Sequence, residues 1–345
     1  MMSFAGNAIV AKAKAVYGKT LAAADYEALL KKKTVPEVAA YLRTQPHFVD
    51  ILKDIQPESI HRGRLEELIR RNEFEHILRL IKFVDVKDSG FYRLNLIKRE
   101  IDIILEILRA MISESLETEI SDVPSYMTRN ATFDLFKASQ SKNFDALLET
   151  LARTPYHAVL KPFAGKDNRS IDYVRIEHEL ELYYYDCVFR EIRAHYRGAL
   201  RKDLETIYLT KIELENITKI YRLKKFYHAD PSTIKGTLIH QYSRISERKF
   251  DEIIALPDPN LILQYLDKSE YQRFLDEKEY VYVEYYAERI KYNLAKRFMY
   301  FSSSVPKVFA AFVLLTEIET ANLTNIIEGI RYQLNEAEIK RMLIY

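Results

Sequence analysis

KIELENITKIYRLKK, residues 211–225, is met twice more in the chain: as EIETANLTNIIEGIR at 317–331 and, more worn, as REIDIILEILR at 99–109. Set in register, one position is glutamate in all three copies: Glu100, Glu213 and Glu319. Three residues later stand Ile103, Asn216 and Asn322. Next come Ile104, Ile217 and Leu323, and three further on Ile107, Ile220 and Ile326. Apolar positions at that spacing describe one face of an amphipathic helix, so each copy predicts a helix.

The phase of the glutamate says more. At about 100° per residue, Ile212, Ile217, Ile220, Tyr221 and Leu223 share one broad arc. Glu213 projects into its middle, Asn216 lies inside it, and Arg222 points away. A carboxylate on the apolar side is costly unless it is paired or hydrogen-bonded. The leading reading is a structural polar contact that locks helix on helix. The second is contact with another protein of an assembly, and an acid–base catalyst is a distant third. The same phase predicts that Glu213 and Glu319 are largely buried, with donors on the long helix that precedes each. Arg190, Arg193 and Arg197 are the candidates for Glu213, and Arg289 and Arg297 for Glu319.

A second landmark recurs with the first. Val38, Leu42 and Pro46 match Leu147, Leu151 and Pro155, and then Ile262, Leu266 and Glu270; the next residues are His47, Tyr156 and Tyr271. From Leu42, Leu151 and Leu266 to the matching glutamate the interval is 58, 62 and 53 residues. Two landmarks that keep step three times predict three diverged helical repeats, 1–125, 126–235 and 236–345. Each is far longer than the units of ordinary solenoids, roughly 20–50 residues.

Composition supports an all-α chain. Only 8 Gly and 10 Pro occur in 345 residues, and Glu58–Val123 and Phe163–Asp230 contain no Pro. Leu, Ile, Glu, Lys and Ala are abundant, which together with scarce breakers favours helix. A hydrophobic content of 48% allows a sizeable core. The net charge of +2 gives no basic footprint for nucleic acid. Cys187 has no internal partner and fits a reducing compartment, its plainest role being a small core residue. The start of the chain lacks the long apolar run of a secretory signal. The longest apolar run, Val308–Leu315, is too short to cross a bilayer.

Along the chain, a helix is expected to Tyr17, a turn at Gly18, and a second helix from about Ala22. Thr34 reads as an N-cap, with Pro36 in the first turn and Glu37 in the capping-box position. Arg64–Lys82 is helical, and Phe91 opens the helix that carries Glu100. SDVPS, around Pro124, is the first expected boundary and HADPSTIKG, His228–Gly236, the second; a helix break is expected near Gly198. The Tyr-rich helix beginning EYVYVEYY at Glu279 and the turn SSSVP at Ser302–Pro306 lead into the last glutamate helix.

Chemical motifs are missing. The glycines never fall closer than a dozen residues apart, so no phosphate loop exists, and His178-Glu179 has no second histidine one turn on. The eight histidines are scattered and form no metal-ligand pair with Cys. No catalytic residue, cofactor site or metal site is therefore expected.

The repeated helix and the opening stretch NAIVAKAKAVYGKTLAAADYEALLKKKTVPEVAAYLRT resemble the AC39 family (the C or d component) of V-type and A-type rotary ATPases. SVPKVFAAFVLLTEIE resembles that family's C-terminal third. The resemblance spans essentially the whole chain and is closer to the bacterial and archaeal branch than to the eukaryotic one. It implies a funnel-shaped, all-helical protein of three similar domains about a pseudo-threefold axis. It further implies a non-catalytic rotor socket at the cytoplasmic face of the membrane. Its partners would be the central-shaft subunits and the membrane rotor ring, and its attachment to the membrane would run through protein partners only. The first repeat departs from the pattern, with Ile103 where the others have Asn216 and Asn322. The rival reading is a free-standing helical scaffold that binds other proteins.

Overall fold

The computed structural model describes residues 4–83, 89–113, 126–165, 167–274 and 282–345. Among them the regular secondary structure is helical, with no strand. The expected boundary at SDVPS lies outside the described residues, as do the first residues of the Tyr-rich segment from Glu279.

The chain opens with α1 (Phe4–Tyr17), α2 (Ala23–Leu30), α3 (Val35–Arg43), α4 (Val49–Leu52), α5 (Arg62–Ile81) and α6 (Ser89–Ser113). Thr34 caps the start of α3 as its sequence indicates, whereas Glu37 bonds Lys33 N rather than the Thr34 N–H that a capping box would use. Thr34 Oγ1 accepts from the Glu37 backbone N–H at 3.3 Å while Glu37 Oε2 reaches back to Lys33 N at 3.0 Å. Then follow α7 (Leu135–Ser139), α8 (Phe144–Thr150), α9 (Pro155–Leu160), α10 (Tyr173–His195) and α11 (Gly198–Tyr227). The break between α10 and α11 falls where it is expected. Gly198 has φ +59°, a left-handed conformation that a side chain disfavours. At its far end α11 is closed by His228, also left-handed. The last third holds α12 (Pro231–Gly236), α13 (Glu247–Ile254), α14 (Leu261–Asp267), α15 (Val283–Phe301), α16 (Val305–Arg331) and α17 (Glu336–Lys340).

By contacts the chain divides into two compact units. One comprises Met1–Val86, Arg197–Ile234 and Ser243–Tyr345; the other comprises Lys87–Tyr196 and Lys235–Tyr242. In the second unit α6 packs along α10, and α7, α8 and α9 form a short chain of contacts that ends on α10. In the first, α16 runs against α15, α1 and α5, and α11 lies against α15 and α16. Each glutamate-bearing helix, α6, α11 or α16, thus packs on a long helix of a neighbouring stretch: α10, α15 and α5 respectively. The third pairing joins the end of the sequence to its beginning. Its core is shared accordingly, with Leu29, Val38, Leu42 and Leu65 from early helices clustered with Leu323 and Ile326 of α16.

Burial along α11 follows the helical arc read from sequence. Ile212, Glu213, Asn216, Ile217, Ile220 and Tyr221 are buried, and Arg222 is exposed. No helix is long and apolar enough among the described residues to cross a membrane.

Candidate functional site

The three glutamates are buried: Glu213 is 0%, Glu100 1% and Glu319 7% exposed. Each sits on the apolar face of a long helix, where its charge is tolerable only if donors meet both oxygens. Those donors recur in a common pattern.

Glu100, on α6, accepts from the backbone N–H of Thr132, from Thr132 Oγ1 at 3.1 Å and from the Tyr156 hydroxyl. Glu213, on α11, accepts from the backbone N–H of Arg244, from the Arg244 guanidinium (Nη2 to Oε2, 2.7 Å) and from the Tyr271 hydroxyl. Glu319, on α16, accepts from the backbone N–H of Leu21 at 2.8 Å, and His47 Nε2 lies 3.1 Å from its second oxygen. Every clamp therefore takes one backbone N–H from the segment just before a short helix, α2, α7 or α13. Its second partner is the ring residue of the helix-turn landmark: His47, Tyr156 or Tyr271. The order is cyclic in sequence, each glutamate being held by the stretch that follows and the last by the first.

The electrostatics match the geometry. Burial, and then the neighbouring carboxylate, raise the ionisation of Tyr156 and Tyr271 well above the ordinary phenol range. Both hydroxyls stay protonated and donate to their glutamates, and that of Tyr271 also accepts from Arg244 Nη2 at 3.2 Å. Arg244 is opposed by partial burial but held charged by its bonds to Glu213, with Glu270 3.3 Å away and Thr210 Oγ1 accepting at 2.9 Å. Carboxylates held in this way stabilise one packing of helix on helix.

The donors differ from those expected on the preceding long helices. Arg190 donates to Cys187 Sγ at 3.2 Å, Arg193 lies over the rings of Phe189 and Tyr242, and Arg197 precedes α11 as its N-cap. Arg289 donates to the Tyr345 carbonyl at 2.9 Å, and Arg297 is on the exposed side of α15. Helical phase gives the direction of a side chain and not the element that covers it; the covering elements are the loops and short helices of the following stretch.

The asparagines are buried too, Asn216 at 1% and Asn322 at 2%. Asn322 makes a two-way bond with the backbone of Ile344, donating to its carbonyl at 2.7 Å and accepting from its N–H at 2.9 Å. It pins the final residues beside Tyr345, whose ring stacks on Tyr26 at 4.6 Å. Ile103, in the matching place of α6, is an apolar buried residue. Among the described residues no group of three or more His, Cys, Asp or Glu could hold a metal ion.

Residues 9–342 match the family model described as ATP synthase (C/AC39) subunit. The chain belongs to that family. The ATP synthase (C/AC39) subunit is a non-catalytic component of rotary ATPases, peripheral to the membrane-associated complex. The match runs through all three glutamate helices, so the clamps lie within the family's extent. No curated protein matches the chain in sequence.

Arg244, Thr132 and Leu21 were not indicated as partners by the sequence. His47, Tyr156 and Tyr271 stood out as aligned landmarks, yet nothing in their alignment tied them to the glutamates. One signal was present: Tyr156 lies 56 residues beyond Glu100, and Tyr271 lies 58 beyond Glu213. A glutamate and a ring kept at nearly one interval are candidates for contact.

Proposed function

We propose that this chain is the rotor socket of its ATPase. It receives the foot of the central shaft, sits on the membrane ion-carrying ring at the cytoplasmic face, and transmits torque between them without catalysing a reaction. The observation that carries the reading is the family match over residues 9–342. The recurrence of one clamp three times along the chain supports a body built from three similar repeats, 1–125, 126–235 and 236–345, arranged in a funnel about a pseudo-threefold axis. In this reading Glu100, Glu213 and Glu319 have a structural task. They hold neighbouring repeats in fixed relation, because a part that carries torque must not shear between its repeats. Asn216 and Asn322 support the same helices. Attachment to the membrane then runs through protein partners.

Affinity purification from detergent-solubilised membranes tests the assignment. A tagged chain is expected to bring down shaft and ring subunits in fixed stoichiometry. Recovery of the chain alone, from the soluble fraction, contradicts it and supports a free-standing scaffold.

A further inference from the structure

The clamp on Glu319 differs chemically from its two sisters. Where they use a tyrosine hydroxyl, it uses the imidazole of His47, a group that ordinarily titrates near neutral pH. His47 is 4% exposed, and its ring stacks on that of His76, on α5, with centroids 4.5 Å apart and planes 17° apart. His47 Nδ1 and His76 Nε2 are both buried without a hydrogen-bond partner. A proton added at His76 Nε2 would become a buried donor with nothing to receive it, a costly state.

Charged and titratable groups reach this ring pair from three helices. From α16 comes Glu319, whose neighbour Thr320 donates to Glu73 of α5 at 2.8 Å. From α5 comes Arg79, which disfavours positive charge on His76. From α2 comes Tyr26, kept protonated by burial and then by the Glu319 charge. Burial, then His47 itself, push the His76 pKa down to about 4.

We propose that His47, His76 and Glu319 form an acid-sensitive catch, which holds α16 against α3–α5 at neutral pH and loosens on acidification. The catch joins the last long helix of the chain to its first helices. An unfolded His76 takes up a proton near pH 6.5, whereas the folded ring refuses it until about pH 4. Across that window the unfolded state binds more protons, so the stability contributed by the neutral ring is whole above pH 6.5 and falls as pH drops towards 4. Glu100–Tyr156 and Glu213–Tyr271 have no ring that titrates in this window and serve as controls within the same molecule. The catch rests on this site and does not depend on the rotor assignment.

Hydrogen exchange on the full chain at pH 7 and pH 5, corrected for intrinsic rates, tests it. The wild type is expected to lose protection in α3–α5 and mid-α16 by roughly tenfold or more at pH 5, with α6–α9 spared. His76→Phe, which keeps the stacked ring but removes the titrating group, should flatten this pH dependence, and His47→Tyr, which installs the sister residue but leaves His76 buried, should only reduce it. Equal acid loss at all three clamps, or a well-folded His76→Phe retaining the wild-type pH profile, overturns the proposal.

Discussion

Glu213→Ala removes the acceptor of three donors, the Arg244 backbone N–H, its guanidinium and the Tyr271 hydroxyl, and leaves the guanidinium half-buried beside an apolar face. Loss of one partner of a buried ion pair costs about 3–5 kcal/mol. Arg244 keeps Glu270 at 3.3 Å and a third of its side chain in water, so the lower end of that range is expected. Glu100→Ala strands only neutral donors, the Thr132 backbone and the Tyr156 hydroxyl, and should cost about 1–3 kcal/mol. Urea unfolding of the isolated protein checks both values. Unchanged stability with lost partner binding would assign the glutamates to an interface instead. Burial of these carboxylates was legible in the sequence because helical phase alone places them on the apolar arc. Their partners were not, because the donors lie on segments whose contact with the helix depends on the tertiary fold.

Among the helices, caps and breaks were the most legible features, since each depends on residues within one turn. Thr34 caps α3, and Gly198 separates α10 from α11. HADPSTIKG reads as a boundary, yet Pro231–Gly236 coils into α12. Asp230 accepts from the backbone N–H groups of Ser232 and Thr233, at 2.9 and 3.1 Å, and Pro231 fits the first turn. The residues that read as a linker are also a helix start. Packing between helices sets the sign of a glycine substitution that propensity alone would misjudge. In α16, Gly329→Ala should gain up to about 1 kcal/mol of helix propensity. Its new Cβ would stand 2.5 Å from Ile339 Cγ1 of α17, however, and overpacking costs about 1–3 kcal/mol. A net loss of thermal stability is expected, with faster exchange in α17; a stabilised variant would show that α17 yields freely. Gly198→Ala, at φ +59° with open space around it, should destabilise by about 1 kcal/mol through the backbone alone, read in the same melting assay.

For the whole molecule, the all-helical class was legible from scarce breakers and recurrent amphipathic stretches. The contact units were not. Internal likeness divides the sequence by repeats, whereas packing unites each glutamate helix with the stretch that follows it. Cutting the chain at a repeat boundary would therefore cut a clamp, and isolated repeats are expected to fold poorly compared with the whole chain. The rotor-socket role proposed above requires this family member to couple rotation to ion movement. ATP-driven ion pumping and ATP hydrolysis, measured side by side on membranes from a strain lacking the gene, test that coupling role most directly. Pumping should be lost while the catalytic head still hydrolyses ATP, and the wild-type chain should restore coupling. Normal ATP-driven pumping in the deletion membranes would contradict the assignment.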